Sequence, residues 1–449
     1  MKRPRFIRWL APGLNIKRWL FLFSLGVAFF LFGAALLVDY RSLSYLEDLL
    51  LELLYTTTGA YDYATLVLIG TGVIGIGFAF MLLGMRKVIK TVVGAVVSDE
   101  ERGVSDYIFD NIRLGQGPKL VVIGGGTGLS VLLRGLKERT SNLTAVVTVA
   151  DDGGSSGRLR EDFNMIAPGD LRNCLVALAE KEGLMETLFR YRFEGDNELA
   201  GHSFGNLFLA GLTQVLDDDI EKALDASSKI LKVRGRVIPS SVEDLRLSAE
   251  LTDGSVIEGE SRIPDGGMPI RRVFLTPESP KPVGAALQAI DEADAIIIGP
   301  GSLYTSIMPN VLVDKIADHI RASRAPKIYI CNVMTQPGET DGYRVSDHVQ
   351  AIARHGGMDL ITTVLVNDTA IDADVLDNYR RTGAEPVEID ADTLERMGIR
   401  VIRADLVDSR DKAVHNADRL GKVIMDIVYA LETDIEPHIL EYYLRRQDH

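Results

Sequence analysis

The sequence predicts an α/β fold with a doubly wound, mainly parallel sheet, preceded by two transmembrane helices. Three observations carry this. Two uncharged apolar runs of membrane-spanning length lie near the N-terminus. Short β-rich runs then alternate with helical segments along the rest of the chain. Glycine-rich turns follow two of those runs directly, at the strand ends where parallel sheets gather ligands.

The bulk properties bound the answer. At 449 residues the chain exceeds one small domain and can bury a large core. A formal net charge of −14 argues against nonspecific binding to nucleic acid, so no such partner is expected. The two cysteines, Cys174 and Cys331, lie far apart in no metal-type spacing, which fits a reducing compartment. The seven histidines form no His-x-x-x-His pair, so there is no zinc signature.

The first element is "WLFLFSLGVAFFLFGAALLV" (19–38), the second "ATLVLIGTGVIGIGFAFMLLGM" (64–85). Each matches a hydrocarbon core of about 30 Å at about 1.5 Å rise per residue. Lys2, Arg3, Arg5, Arg8, Lys17 and Arg18 precede the first run, and Arg86, Lys87 and Lys90 follow the second. The intervening loop holds Asp39, Glu47, Asp48, Glu52 and Asp62 against Arg41 alone. The positive-inside rule makes residues 1–90 a membrane hairpin with both ends in the cytoplasm. The expected location is therefore the cell membrane, multi-pass, with the C-terminal domain cytoplasmic. Residues 91–117 form a linker that ends in the breaker run "GQGP", 118–435 the folded domain, and 436–449 a tail.

Within the folded domain, "KLVVIG" (119–124) is a strand, "GLSVLLRGLKE" a helix and "LTAVVTVA" (143–150) a second strand. A helical region runs from about 169 to 231. "DLRLSAELTDGSVIEGES" (244–261) is a hairpin around an Asp-Gly turn. Buried-strand runs return as "RRVFLT", "AIIIG", "KIYICNV", "LITTVLVN" and "IRVIRADL".

Three loops stand out at strand ends. "GGGTGLS" (124–130) offers bare backbone amides at a helix start through Gly125, Gly126, Thr127 and Gly128, a phosphate-binding chemistry. It lacks the Lys-Ser/Thr of a Walker loop. Leu129 occupies the third glycine position of a dinucleotide fingerprint, which disfavours a nicotinamide oxidoreductase. "VADDGGSSGRLR" brings Asp151 and Asp152, able to hold a ribose hydroxyl or Mg²⁺, beside Gly153, Gly154 and Ser155. "IIIGPGSLYTSIMPN" (296–310) repeats the strand, glycine and hydroxyl pattern with Gly299, Gly301, Ser302 and Tyr304. Further polar groups include Asp170, Arg172 and Asn173, then His202, Ser203 and Asn206, then Asn332, Thr335, Gln336 and Glu339. Each group taken singly could be a helix cap or a solvated turn. Together they describe a cleft for a ligand with phosphates and several hydroxyls.

"GGGTGLSVLLRGLK", "VADDGGSSGRLR", "PGDLRNCL", "GHSFGNL", "GPGSLYTS" and "CNVMTQPGETDGY" closely resemble the YvcK (gluconeogenesis factor) family of the CofD-like superfamily, over about 119–431. The resemblance implies a Rossmann-like nucleotide-binding fold. For the YvcK branch it implies a UDP-sugar ligand such as UDP-N-acetylglucosamine and a role in cell shape and envelope growth. For the CofD branch it implies Mg²⁺-dependent transfer of a phospholactyl group to the deazaflavin Fo. Tyr379 in "DNYRRTGAEPV" matches the family's sugar-nucleotide tyrosine. Two features depart from the family pattern. Most members lack the hairpin, and Val414, His415 and Asn416 stand where Arg-His-Asp is common, with Arg419 as the nearest substitute.

The expected function is a membrane-tethered UDP-sugar-binding regulator, with a CofD-type transferase as the alternative. The partners are then a UDP-sugar and the membrane, and a homo-oligomer is compatible with the sequence. No resident cofactor is certain. A metal, if one binds, is Mg²⁺ at Asp151 and Asp152. No residue is an evident nucleophile, and His202 is the best candidate for acid–base work.

Overall fold

The computed structural model describes residues 16–37, 48, 52, 55, 56, 63–96, 112–180, 183–408 and 413–432. The basic residues ahead of position 16, most of the hairpin loop, linker residues 97–111 and the tail 436–449 lie outside the described residues. The chain divides into two units, Met1–Asp110 and Asn111–His449.

The first unit holds α1 (Ile16–Leu37) and α2 (Tyr63–Val96), two helices long and apolar enough to cross a membrane. They pack through glycines. An ideal β-carbon at Gly26 would stand 2.7 Å from the Gly77 carbonyl oxygen, and one at Gly33 would stand 2.7 Å from that of Gly70. Backbones approach this closely when packing has to hold helices together without a hydrophobic driving force.

The second unit is built on a seven-stranded sheet in the order β10-β9-β8-β7-β1-β2-β3. Its strands are β1 (Leu120–Gly124), β2 (Leu143–Val147), β3 (Arg236–Pro239), β7 (Ala295–Ile298), β8 (Lys327–Ile330), β9 (Thr363–Asn367) and β10 (Arg400–Ala404). Every pairing is parallel, and Ile123 of β1 lies opposite Val146 on one side and Ile298 on the other. Strands β1, β7 and β8 are buried along their whole length, as expected when helices cover both faces. The helices that bear on function are α3 (Gly126–Leu136), α4 (Gly154–Phe163), α5 (Gly169–Leu178), α6 (Phe204–Val215), α7 (Ala373–Arg381) and α8 (Ala417–Glu432).

Two strand expectations change. "RRVFLT" is not part of the parallel sheet. It lies in β6 (Ile270–Thr276), which pairs antiparallel with β4 (Arg246–Leu251), itself paired with β5 (Val256–Glu258) across the Asp253–Gly254 turn. Its interrupted burial suits a smaller sheet with one wet face. Strand β3 has only four residues and ends in Pro239, so it gives no clear periodic signal, yet it forms the sheet edge beside β2. A proline there is tolerated because an edge strand need not donate on both sides.

Candidate functional site

The strand order fixes where a ligand can enter. From β1 the chain runs outward to β2 and β3, then crosses back to β7 on the other side of β1. The carboxyl ends of β1 and β7 therefore flank the switch-point crevice of an open α/β sheet. Three hydrogen bonds fix the end of β1, two to β7 and the segment after it and one to the end of β2. The Gly299 amide donates to the Ile123 carbonyl (2.8 Å), the Thr148 amide to the Gly124 carbonyl (3.0 Å) and the buried Asn310 side chain to the same carbonyl (3.0 Å).

An open cavity of about 550 Å³ lies over this crevice. One wall is Gly125, Gly126, Thr127 and Gly128, where β1 turns into α3. The facing wall is Gly301, Ser302 and Ser306, where β7 turns into its own helical segment. The loop after β8 adds Asn332, Thr335, Gln336 and Glu339, and α7 adds Tyr379. Asn332 donates to the Gln336 side-chain oxygen (3.2 Å), and the Gln336 amide donates to Ser302 Oγ (2.6 Å), which cross-braces the second and third of these groups. Among the described residues lining the cavity, none is lysine or arginine. An anion here meets backbone amides, hydroxyls and the positive end of α3.

Of the residues singled out from the sequence, Gly125, Gly126, Thr127, Gly128, Gly301, Ser302, Asn332, Thr335, Gln336, Glu339 and Tyr379 line this cavity. The others do not. Gly299 is the buried end of β7, tied to β1. Tyr304 is fully buried, and its hydroxyl meets that of Tyr343 at 2.8 Å. Asp151, Asp152, Gly153, Gly154, Ser155 and Asn206 sit beyond β2 in a neighbouring polar cluster. There Ser155 Oγ contacts His202 Nδ1 (3.1 Å) and accepts from the Asn206 side chain (3.1 Å). Burial, then Arg158, hold His202 below the usual histidine range.

The two clusters meet at Asp170 in the first turn of α5. Its carboxylate accepts the Gly126 amide and so supports the glycine turn from behind. Burial, then Asp151, push its pKa up to about 6. Glu260 faces Asp151, Asp152, Asp170 and Glu339, and burial followed by that negative field raises it to about 8. Burial raises Glu339, in the cavity wall, to about 7. The cavity also takes in Pro264, whose position in sequence gave no sign of it, and Val414 and His415, which stand opposite the Arg-His of the family pattern. Arg419 does not replace that arginine, because its guanidinium is held by Asp405 and the Val407 carbonyl.

Asp151 accepts the Gly153 amide (2.9 Å), whereas Asp152 accepts the Ser261 amide (2.9 Å). Among the described residues no three acidic, histidine or cysteine side chains converge to hold an ion.

Comparison with known proteins fits this geometry. A family model described as "2-phospho-L-lactate transferase CofD" matches residues 120–407. The gluconeogenesis factor of Bacillus subtilis is 49% identical over 316 residues, covering 70% of this chain and 99% of its own. A Nostoc sp. relative is 45% identical over 427 residues, covering 94% of this chain and 92% of its own, so its match extends into the hairpin region. A crystal structure of a Bacillus halodurans protein superposes with a TM-score of 0.67 at 50% identity, covering 69% of this chain and all of that one. This chain therefore belongs to the gluconeogenesis factor family, within the CofD-like superfamily.

Proposed function

We propose that this protein is a membrane-tethered, cytoplasmic regulator that binds a UDP-sugar such as UDP-N-acetylglucosamine and acts in cell shape and envelope growth. The observation that carries the reading is the pair of glycine turns after β1 and β7 facing each other across one cavity. Together with the start of α3 they supply amide donors for a diphosphate. Thr127, Ser302, Ser306, Asn332 and Gln336 supply the neutral polar groups that a sugar requires. Tyr379 adds a flat surface and a hydroxyl. The physiological role rests on family membership, and unaltered shape of a deletion strain on gluconeogenic carbon sources would refute it.

Calorimetry on the full-length chain in detergent should show UDP-N-acetylglucosamine or UDP-glucose binding more tightly than NAD or ATP. Preference for NAD would sink the assignment. A regulator breaks no bond, so the sugar nucleotide should be recovered intact after long incubation with protein and Mg²⁺.

The tether is supported by the length and apolar composition of α1 and α2 and by the basic residues outside them. A reporter fused to the C-terminus should behave as cytoplasmic, and activity of that reporter outside the cytoplasm would overturn the topology.

One observation favours the transferase reading. Asp151, Asp170 and Glu260 crowd three carboxyl groups close behind the Gly126 turn. Asp151 and Asp152 would be the residues to hold Mg²⁺, since one or two carboxylates together with the ligand's phosphate oxygens suffice for that ion. Metal-dependent cleavage of a diphosphate ligand, lost in Asp152→Asn, would decide for this reading.

A further inference from the structure

A separate cavity, of about 390 Å³, lies at the other end of the sheet from the ligand crevice, where the segment 112–117 leads into the amino end of β1. That segment contributes Arg113, and the turn after α3 contributes Arg139. Helix α8 contributes Lys422, Met425, Asp426 and Tyr429, a single stripe at spacings of three and four. The charge here runs against the rest of the molecule. The chain carries −14 overall, and among the described residues lining the ligand crevice none is lysine or arginine. Among those lining this cavity, three are cations and one is an acid. Arg139 is held in place by its bonds to the Gly135 carbonyl (2.7 Å) and Asp418 (2.7 Å), and its remaining N–H groups stay available. Asp426 differs from its neighbours. Its Oδ2 is buried with no hydrogen-bond partner, which costs about 1–3 kcal/mol and more when the group is charged. A site for a plain phosphate needs only the cations. The orphaned carboxylate oxygen, on one stripe with the Tyr429 ring, fits a ligand that also carries a positive group.

We infer that this cavity seats a phosphoethanolamine headgroup of the membrane, its phosphate on Arg113, Arg139 and Lys422 and its ammonium on Asp426. The inference rests on the membrane tether and adds a second, reversible contact to it. Two observations make a lipid the source. Residues 97–111 join the end of α2 to the segment that walls the cavity, and that length of chain reaches at most about 55 Å. The cavity therefore stays within a short distance of a bilayer that α2 enters. Exposed apolar groups also accompany the cations. Ile112 stands next to Arg113 in sequence, and Tyr429 lines the cavity itself. A soluble phosphate ester leaves both in water, whereas the glycerol and upper acyl chains of a lipid cover them. The cations bind phosphate of any headgroup as donors and charges. Asp426 sets the preference, because an ammonium satisfies its orphaned oxygen and a neutral glycerol headgroup does so without charge. A headgroup seated here leaves the crevice at the carboxyl ends of the strands open to the cytoplasm.

The test titrates the full-length chain, in an uncharged detergent, with dihexanoyl phosphatidylethanolamine, dihexanoyl phosphatidylglycerol, free phosphoethanolamine and inorganic phosphate. The ethanolamine lipid should bind at least about tenfold more tightly than each of the other three. Asp426→Asn keeps the shape and removes the charge. It should erase the preference between the two lipids while leaving the glycerol lipid within about twofold. Lys422→Gln should weaken both lipids by about fivefold or more. Unchanged affinities in either variant, with melting like the wild type, overturn the assignment, as does equal binding of the two lipids by the wild type. Free phosphoethanolamine binding as tightly as its lipid overturns the bilayer as source. Failure of all four compounds to bind, or inorganic phosphate binding tightest, overturns the site. Should a variant fail to fold, photo-cross-linking of a phosphatidylethanolamine with a diazirine on its headgroup to the unaltered protein decides. Adducts on residues 112–117 or 422–429 support the assignment, and adducts confined to other segments overturn it. Recovery of the protein in the soluble fraction of cells broken without detergent overturns the tether, and the bilayer as source with it.

Discussion

Gly135→Ala is expected to lower the melting temperature of the full-length chain by about 4 °C, corresponding to roughly 3 kcal/mol for a folded unit of this size. Helices α3 and α8 cross at this point, backbone against backbone. An ideal β-carbon at Gly135 would lie 1.8 Å from the Ala417 carbonyl oxygen, and one at Gly421 would lie 2.5 Å from the Gly135 carbonyl carbon. Two effects oppose each other. Alanine in a helix is favoured over glycine by about 1 kcal/mol. A methyl group forced into a helix crossing costs about 1–3 kcal/mol or more, and here no flexible side chain can yield, so the clash wins. Gly211→Ala is the matched comparison. Gly211 lies in α6, and a β-carbon there would meet nothing within 4 Å. It should leave the melting temperature unchanged or raise it slightly. Equal melting of the two variants would show that the α3–α8 crossing is not a rigid contact. Because α3 begins at the glycine turn, loosening this crossing should also weaken ligand binding.

Much of this architecture was legible because its signals are local. "KLVVIG" and "AIIIG" are short apolar runs ending in glycine, and both become strands whose ends line the crevice. The Asp253–Gly254 turn announces its hairpin, and the two apolar runs become α1 and α2. What was not legible is strand order. Asp151, Asp152, Ser155 and Asn206 resemble pocket residues because they follow or face a strand end. The end they serve belongs to β2, and the crevice opens on the other side of β1, toward β7. A sequence marks strand ends but does not say which of them share a crevice. The same limit hid Pro264, which reaches the cavity from beside the smaller sheet, whereas Val414 and His415, flagged by the family pattern, reach it from a two-residue strand. Tyr304 failed for a different reason. Its hydroxyl pattern fits a ligand contact, but inside the unit that hydroxyl is satisfied by Tyr343.

Gly126→Val should abolish UDP-sugar binding, with affinity falling at least about 100-fold, or roughly 3 kcal/mol. Two causes act at this residue. Its φ of +67° lies in the left-handed region, where a β-carbon costs about 1–2 kcal/mol and a β-branched residue more. The added atoms also project into the wall that a phosphate must approach, with the nearest neighbour Ser306 Oγ at 3.3 Å from an ideal β-carbon. Relief by rotating the turn would pull the Gly126 amide off Asp170 and leave a buried carboxylate short of a donor. Gly126→Ala should therefore give an intermediate loss, since it keeps the strain but adds less bulk. Strain and occlusion are separable by Gly254→Ala. Gly254 also has a positive φ, of +88°, yet a β-carbon there meets nothing within 4 Å and the residue lies in the Asp253–Gly254 turn, outside the cavity. That variant should lose some thermal stability and keep full affinity. If Gly126→Val binds UDP-N-acetylglucosamine as the wild type does, the glycine turn after β1 does not hold the diphosphate. Binding would then have to be sought in the polar cluster around Ser155 and His202.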